Sequence, residues 1–143
     1  MIVQIDPLLA DTIRHAASKS YPHECCGLLT GEVHDNTIII TGVHPSENVT
    51  SGDPARRFEV DPKLRFDLMR LVEAMDDQTE IIGHYHSHPD NPAKPSKTDL
   101  SMAYEENFIW LICASTVDGA QDIGAFRPKS DKSDFDTLEL VIE

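Results

Sequence analysis

Cysteine is scarce in this chain and poorly spaced for cross-linking. There are three in 143 residues, and two of them, Cys25 and Cys26, are adjacent. An odd count with that spacing supports no disulfide framework and implies reduced thiols. Basic residues are also few: 12 Lys and Arg stand against 25 Asp and Glu, a net charge of −13. Phosphate binding wants a basic patch, so the balance argues against a nucleic-acid partner. The acidity reads instead as a well-solvated surface, or as adaptation to salt. No apolar run approaches the ~20 residues of a membrane span. The start, MIVQIDPLLAD, lacks a basic n-region and a cleavage site. A cytoplasmic protein with no membrane partner is expected. With 40% hydrophobic and 26% charged residues, residues 1–143 suit one globular domain with a single core.

Periodicity and turn residues divide the chain. Asp6-Pro7 opens a helix, with Asp as N-cap and Pro at the first helical position, running to about Ser20. Cys25–Thr30 reads as a strand, 31–36 as a turn, and Thr37–Val43, with three successive isoleucines, as a buried strand. Residues 44–55 form a loop, and Arg57–Val60 a short strand. Asp61-Pro62 caps a second helix with Leu64, Leu68, Leu71, Val72 and Met75 as its apolar face; Phe66, Met69 and Met75 are assigned to the core. Glu80–His88 is a strand, Ser96–Glu106 a helix, and Phe108–Ser115 an apolar strand. Gly119-Ala120 lies in a turn, Gln121–Arg127 pairs next, Lys129–Asp134 is a charged linker, and Thr137–Ile142 alternates like an edge strand. The expected class is mixed α/β.

The most informative segment is IIGHYHSHPDNPAKPSKTD, Ile81 to Asp99. In a strand, His86 and His88 share a face with Cα atoms roughly 6.6–7 Å apart, so both imidazoles can meet one metal ion while Ser87 points away. Pro89, Pro92 and Pro95 forbid a continued ladder or an early helix, so the chain must loop. Ser96 and Asp99 then stand at a helix start. Two His and an Asp leave the fourth tetrahedral position open, as catalytic zinc requires. The site is expected at a strand end rather than in the core.

Competing explanations are specific. Ser96-Lys97-Thr98-Asp99 is also a capping box, which is compatible with the metal assignment. His84 has the parity of His86 and His88 but lies two pleats from His88, roughly 13 Å, and is assigned to the core or a supporting position. The H-x-H-x-D-H hydrolase pattern fails at His88 and Pro89; H-E-x-x-H fails at Gly27; the P-C-x-x-C pair of zinc deaminases is missing. Cys26 is assigned to packing.

The spacing H-S-H-P, seven residues to Ser96 and two more to Asp99, resembles the JAMM (MPN+) metalloprotease motif without a gap. Pro22-His23-Glu24-Cys25-Cys26-Gly27-Leu28-Leu29-Thr30-Gly31 is similar to that family's upstream P-x-E-x-x-G-L-L-x-G setting. The likeness extends through Asn48 and Arg57–Pro62 to the C-terminal strand, and fits the short, stand-alone bacterial branch. His84 departs from it, since many members carry Trp or an aliphatic residue there. The resemblance implies the MPN fold, a curved, largely antiparallel sheet flanked by helices. It implies Zn2+ held by His86, His88 and Asp99, with Glu24 as general base on the metal-bound water and Ser96 as oxyanion donor. The implied activity is hydrolysis of an amide bond at the Gly-Gly end of a ubiquitin-like or sulfur-carrier protein. The alternatives are a non-catalytic MPN scaffold and a zinc exopeptidase acting on small peptides. A scaffold would have lost the ligands, and here all are present.

Overall fold

The computed structural model describes Met1–Glu143. Its first helix, α1 (Pro7–Ser20), starts as the sequence dictates: Asp6 accepts the Leu8 N–H at 2.8 Å, and Pro7 occupies the first turn. Ala10, Ile13 and Ala17 form its buried stripe. The other helices are α2 (Pro62–Met75) and α3 (Lys97–Ser101). The strands are β1 (Ile2–Ile5), β2 (Cys26–His34), β3 (Thr37–Ser46), β4 (Glu80–Pro89), β5 (Ile109–Thr116), β6 (Gly119–Pro128) and β7 (Phe135–Ile142).

The class is mixed α/β as expected, but the sheet is not open. The strands close in the order β1-β3-β2-β4-β5-β6-β7. β1 pairs in parallel with both β3 and β7, and β4 pairs in parallel with β5. The remaining pairings are antiparallel. β7, expected as an edge, pairs with β6 through Phe135–Leu138 and with β1 through Glu139–Ile142, and so closes the barrel. β1 was not expected from Ile2–Ile5; Val3 and Ile5 are buried, and the strand completes the barrel.

Helices flank this sheet unequally. α1 packs on β3, β4, β5 and β6, over a core that includes Ile13, Leu29, Tyr85, Leu111 and Cys113. α2 meets mainly β4. Only Leu68 of α2 is buried, with Leu64 and Val72 half-buried in the same row. Leu71 of the expected apolar face is exposed, and so are Phe66, Met69 and Met75, contrary to their assignment to the core. A helix resting on one strand buries a single i, i+4 row rather than a broad face.

Three other expectations change. Gly31 does not begin a turn: β2 continues to His34, and only Asp35-Asn36 makes the hairpin loop. Gly31 instead sits at a register shift, where a Cβ would lie 2.0 Å from the Ile39 carbonyl oxygen. Arg57–Val60 forms no strand beyond one Asn48–Val60 bridge. There the Asn48 side chain replaces a ladder, accepting the N–H groups of Thr50 and Glu59 and donating to the carbonyls of Arg57 and Glu24. The helix expected over Ser96–Glu106 ends at Ser101. Glu105 and Glu106 would place negative charge at its negative end.

Candidate metal centre

β4 is buried on both faces, which is why its side chains divide so cleanly. Tyr85 joins the α1-side core. His84, His86 and His88 face the other way, where Trp110, Ile112, Phe126 and Ala103 form a second cluster. The parallel register sets His84 beside Trp110 and His86 beside Ile112. Phe58, from the loop after β3, stacks on the His86 ring at 4.3 Å and 17°. That contact has no periodic signature in the sequence, because Phe58 belongs to no regular element.

His86, His88 and Asp99 converge. Nε2 of His86 lies 3.1 Å from Nε2 of His88, which is 3.0 Å from Asp99 Oδ2; Asp99 Oδ1 is 3.3 Å from His86 Nε2. Zinc bonds of ~2.0–2.1 Å at tetrahedral angles give donor separations of about 3.3 Å, so the triangle has the right size. The protonation pattern agrees. Nδ1 of His88 lies 2.9 Å from the Pro92 carbonyl, which only accepts, so Nδ1 carries the proton and Nε2 presents a lone pair. Two imidazole nitrogens and a carboxylate facing one point are a donor set that could hold a metal ion. These residues fit a metal ion.

All three candidate ligands are buried, His86 completely. The site thus belongs to the interior, not to a free strand end. Burial keeps His86 neutral, holding its pKa below the ordinary value. For Asp99, burial opposes ionisation, but the two histidines outweigh it and hold the carboxyl well below the usual range. Asp99 is also the N3 residue of a complete capping box. Ser96 Oγ accepts the Asp99 N–H at 3.0 Å, while the Ser96 N–H donates to Asp99 Oδ2 at 2.9 Å. The cap therefore orients the Asp99 carboxylate.

Glu24 and Ser96 line one cleft of about 690 Å³ with His88 and Arg56. Glu24 is buried, and burial pushes its carboxyl up to about 7. Its backbone is fixed from both sides: its N–H donates to the Pro54 carbonyl at 2.7 Å, and its carbonyl accepts from Asn48. Next to it, the Cys25 N–H donates to Ser87 Oγ at 2.8 Å, and the Ser87 N–H to the Cys25 carbonyl at 3.1 Å. Ser87, pointing away from the ligands as expected, thus ties the Glu24 segment to the ligand strand. Gly27 permits this close pairing, since a Cβ there would meet the Tyr85 ring at 2.4 Å.

His84 does not join the metal group. It packs edge-on against Trp110 at 4.3 Å, and burial pushes its pKa down to about 3. Cys26 is buried, as its assignment to packing requires.

A seven-stranded barrel carrying a buried His-His-Asp group defines a JAMM-type domain. Residues 7–128 match the prokaryotic homologs of the JAB domain, and the chain belongs to that family. It is 34% identical over 101 residues to a desampylase of Haloferax volcanii, spanning 71% of this chain and 69% of that protein. It is 26% identical over 102 residues to the tail tip assembly protein K of Escherichia phage N15, covering 71% of this chain and 37% of the phage protein. A solution structure of a Desulfitobacterium hafniense protein superposes with TM-score 0.78 at 25% identity, over 99% of this chain and 92% of that one. One from Salinibacter ruber gives 0.72 at 31%, over 98% and 91%.

Proposed function

We propose that this chain is a zinc-dependent isopeptidase or peptidase. Its substrate is the amide bond after the C-terminal Gly-Gly of a ubiquitin-like or sulfur-carrier protein. The observation that carries the reading is the donor triangle of His86, His88 and Asp99 beside a cleft holding a buried glutamate. Similarity to the desampylase supports hydrolysis directed at a ubiquitin-like modifier. Zinc held there supplies Lewis acidity and lowers the pKa of a coordinated water toward ~7.

The chain's own groups do the rest. Glu24 takes a proton from the attacking water on its carboxylate and delivers it to the leaving amine. Burial raises its carboxyl well above the ordinary carboxylate range, which suits a group that must both take and return a proton. Ser96 Oγ accepts the Asp99 N–H, leaving its own O–H free to donate to the developing oxyanion. A Gly-Gly tail suits the cleft because a chain without side chains can approach the ligands closely.

The test is mass spectrometry of carrier proteins extended or conjugated beyond Gly-Gly, after incubation with zinc-loaded protein and with Glu24→Gln. Release of the group after Gly-Gly by wild type alone supports the reading. Intact conjugates with a fully zinc-loaded enzyme would overturn it.

A further inference from the structure

Beyond the His86, His88 and Asp99 group lies an apolar cavity that the chemistry above does not use. It encloses about 410 Å³ between Leu28, Phe58, Phe108, Trp110 and Met102, with His84 in its lining. His84 is only 8% exposed, and its Nδ1 has no hydrogen-bond partner. Nδ1 itself is sealed from solvent, so the nitrogen a cavity occupant can reach is Nε2, which makes no hydrogen bond within the protein either. Phe58, Tyr104, Phe108 and Trp110 give it aromatic walls; of the polar side chains in the lining, Arg65 and Glu105 pair with each other at 2.7 Å, Glu59 is exposed, and His84 is the buried one. That combination suits a side chain with an apolar body and a polar tip.

The cavity's place relative to the metal fixes its role. The His84 and His86 rings are 5.8 Å apart, and Phe58 packs on both. Glu24 and His88 line the opposite cleft, and a smaller hollow bearing Asp99, Phe58 and Met102 joins the two. On the reading above, Glu24 serves the leaving amine, so the acyl side of the substrate runs toward His84. An extended chain rises ~3.3 Å per residue, which places the cavity two to three residues from the scissile carbonyl. With glycine at the last two positions, the third is the first that can fill it.

We propose that this cavity is a specificity pocket for the residue preceding Gly-Gly, that it takes a tyrosine, and that His84 exchanges a hydrogen bond with the phenolic hydroxyl. This rests on the Gly-Gly reading, and the test separates the two. Trp110, the chain's one tryptophan, lines the pocket and reports occupancy without turnover. The tripeptides Tyr-Gly-Gly, Phe-Gly-Gly and Ala-Gly-Gly are titrated against zinc-loaded protein, with Trp110 fluorescence excited at the red edge. Tyr-Gly-Gly should bind roughly five-fold tighter than Phe-Gly-Gly, and Phe-Gly-Gly tighter than Ala-Gly-Gly. His84→Phe should abolish the Tyr-over-Phe preference and keep Phe over Ala. Leu28→Phe, which fills the cavity from the side and leaves Trp110 the one tryptophan, should erase both preferences while circular dichroism shows the fold retained. Equal binding of all three peptides, or an unchanged Tyr-over-Phe preference in His84→Phe, overturns the pocket. If the binding order holds but no Gly-Gly conjugate is cleaved, the pocket stands and the isopeptidase reading falls.

Discussion

At the residue scale, Glu24 is a buried carboxyl that burial drives toward its neutral form. Glu24→Gln keeps its shape but accepts no proton, so hydrolysis should fall by ~10²-fold or more with metal content unchanged. A second readout is independent of substrate. In metal-free protein the folded-state pKa is raised from 4.5 to about 7. Its stabilising contribution is therefore full below the unfolded value and lost as pH rises through about 7. Urea unfolding at pH 5 and pH 8 should show Glu24→Gln gaining about 2 kcal/mol on wild type over that interval. A constant difference would mean that Glu24 is not desolvated. Ser96 offers a sharper contrast because its cap is already made. Ser96→Ala should lose about 1 kcal/mol of stability from the cap. If the hydroxyl also serves the oxyanion, kcat falls by ~10²–10³. Ser96→Asp should restore the cap and remain nearly inactive; an active Ser96→Asp enzyme would reduce this serine to its capping role.

At the scale of elements, the junction between β2 and β4 sets the site. Glu24 precedes β2 and the histidines lie on β4, so their relation depends on the Cys25–Ser87 hydrogen bonds. Ser87→Ala leaves the buried Cys25 N–H without its acceptor, a loss of about 1–3 kcal/mol. The same change should lower kcat more than metal affinity, because it loosens the base segment and not the ligands. Thermal melts with metal titration separate the two effects; a variant with wild-type stability would show that water replaces the hydroxyl. α3, although one turn long, has an equal share in the site. Its capping box aims Asp99 Oδ2 at His88.

At the scale of the whole molecule, the proposed metal binding would be linked to folding, because His86, His88 and Asp99 are all buried in the native state. Zinc at a thousand times its dissociation constant should stabilise the fold by about 4 kcal/mol. Chelation should therefore lower the Tm, and readdition should restore it at about one ion per chain. His88→Ala should show no zinc-dependent rise in Tm. Its metal-free form should also be less stable than metal-free wild type if packing around the buried ring contributes. An equal rise in wild type and variant would sink the ligand assignment.

The sequence by itself determined the local features. Asp6-Pro7 and Asp61-Pro62 start helices because capping chemistry acts within a few residues. The H-x-H spacing puts His86 and His88 on one face because strand parity is a local rule, and three prolines force the loop that returns Asp99 to them. What the sequence left undecided depended on partners distant in the chain. Whether β7 is an edge turns on β1, more than 130 residues away. Gly31 reads as a turn until Ile39 is seen crowding it. α2 reads as broadly amphipathic, yet a single strand covers it, and its outward apolar side chains stay in solvent. Phe58 on His86 and Ser87 beneath Cys25 lack any periodic sign for the same reason. Only tertiary structure decided them, because burial and hydrogen bonding between separated segments exist only once the barrel has closed.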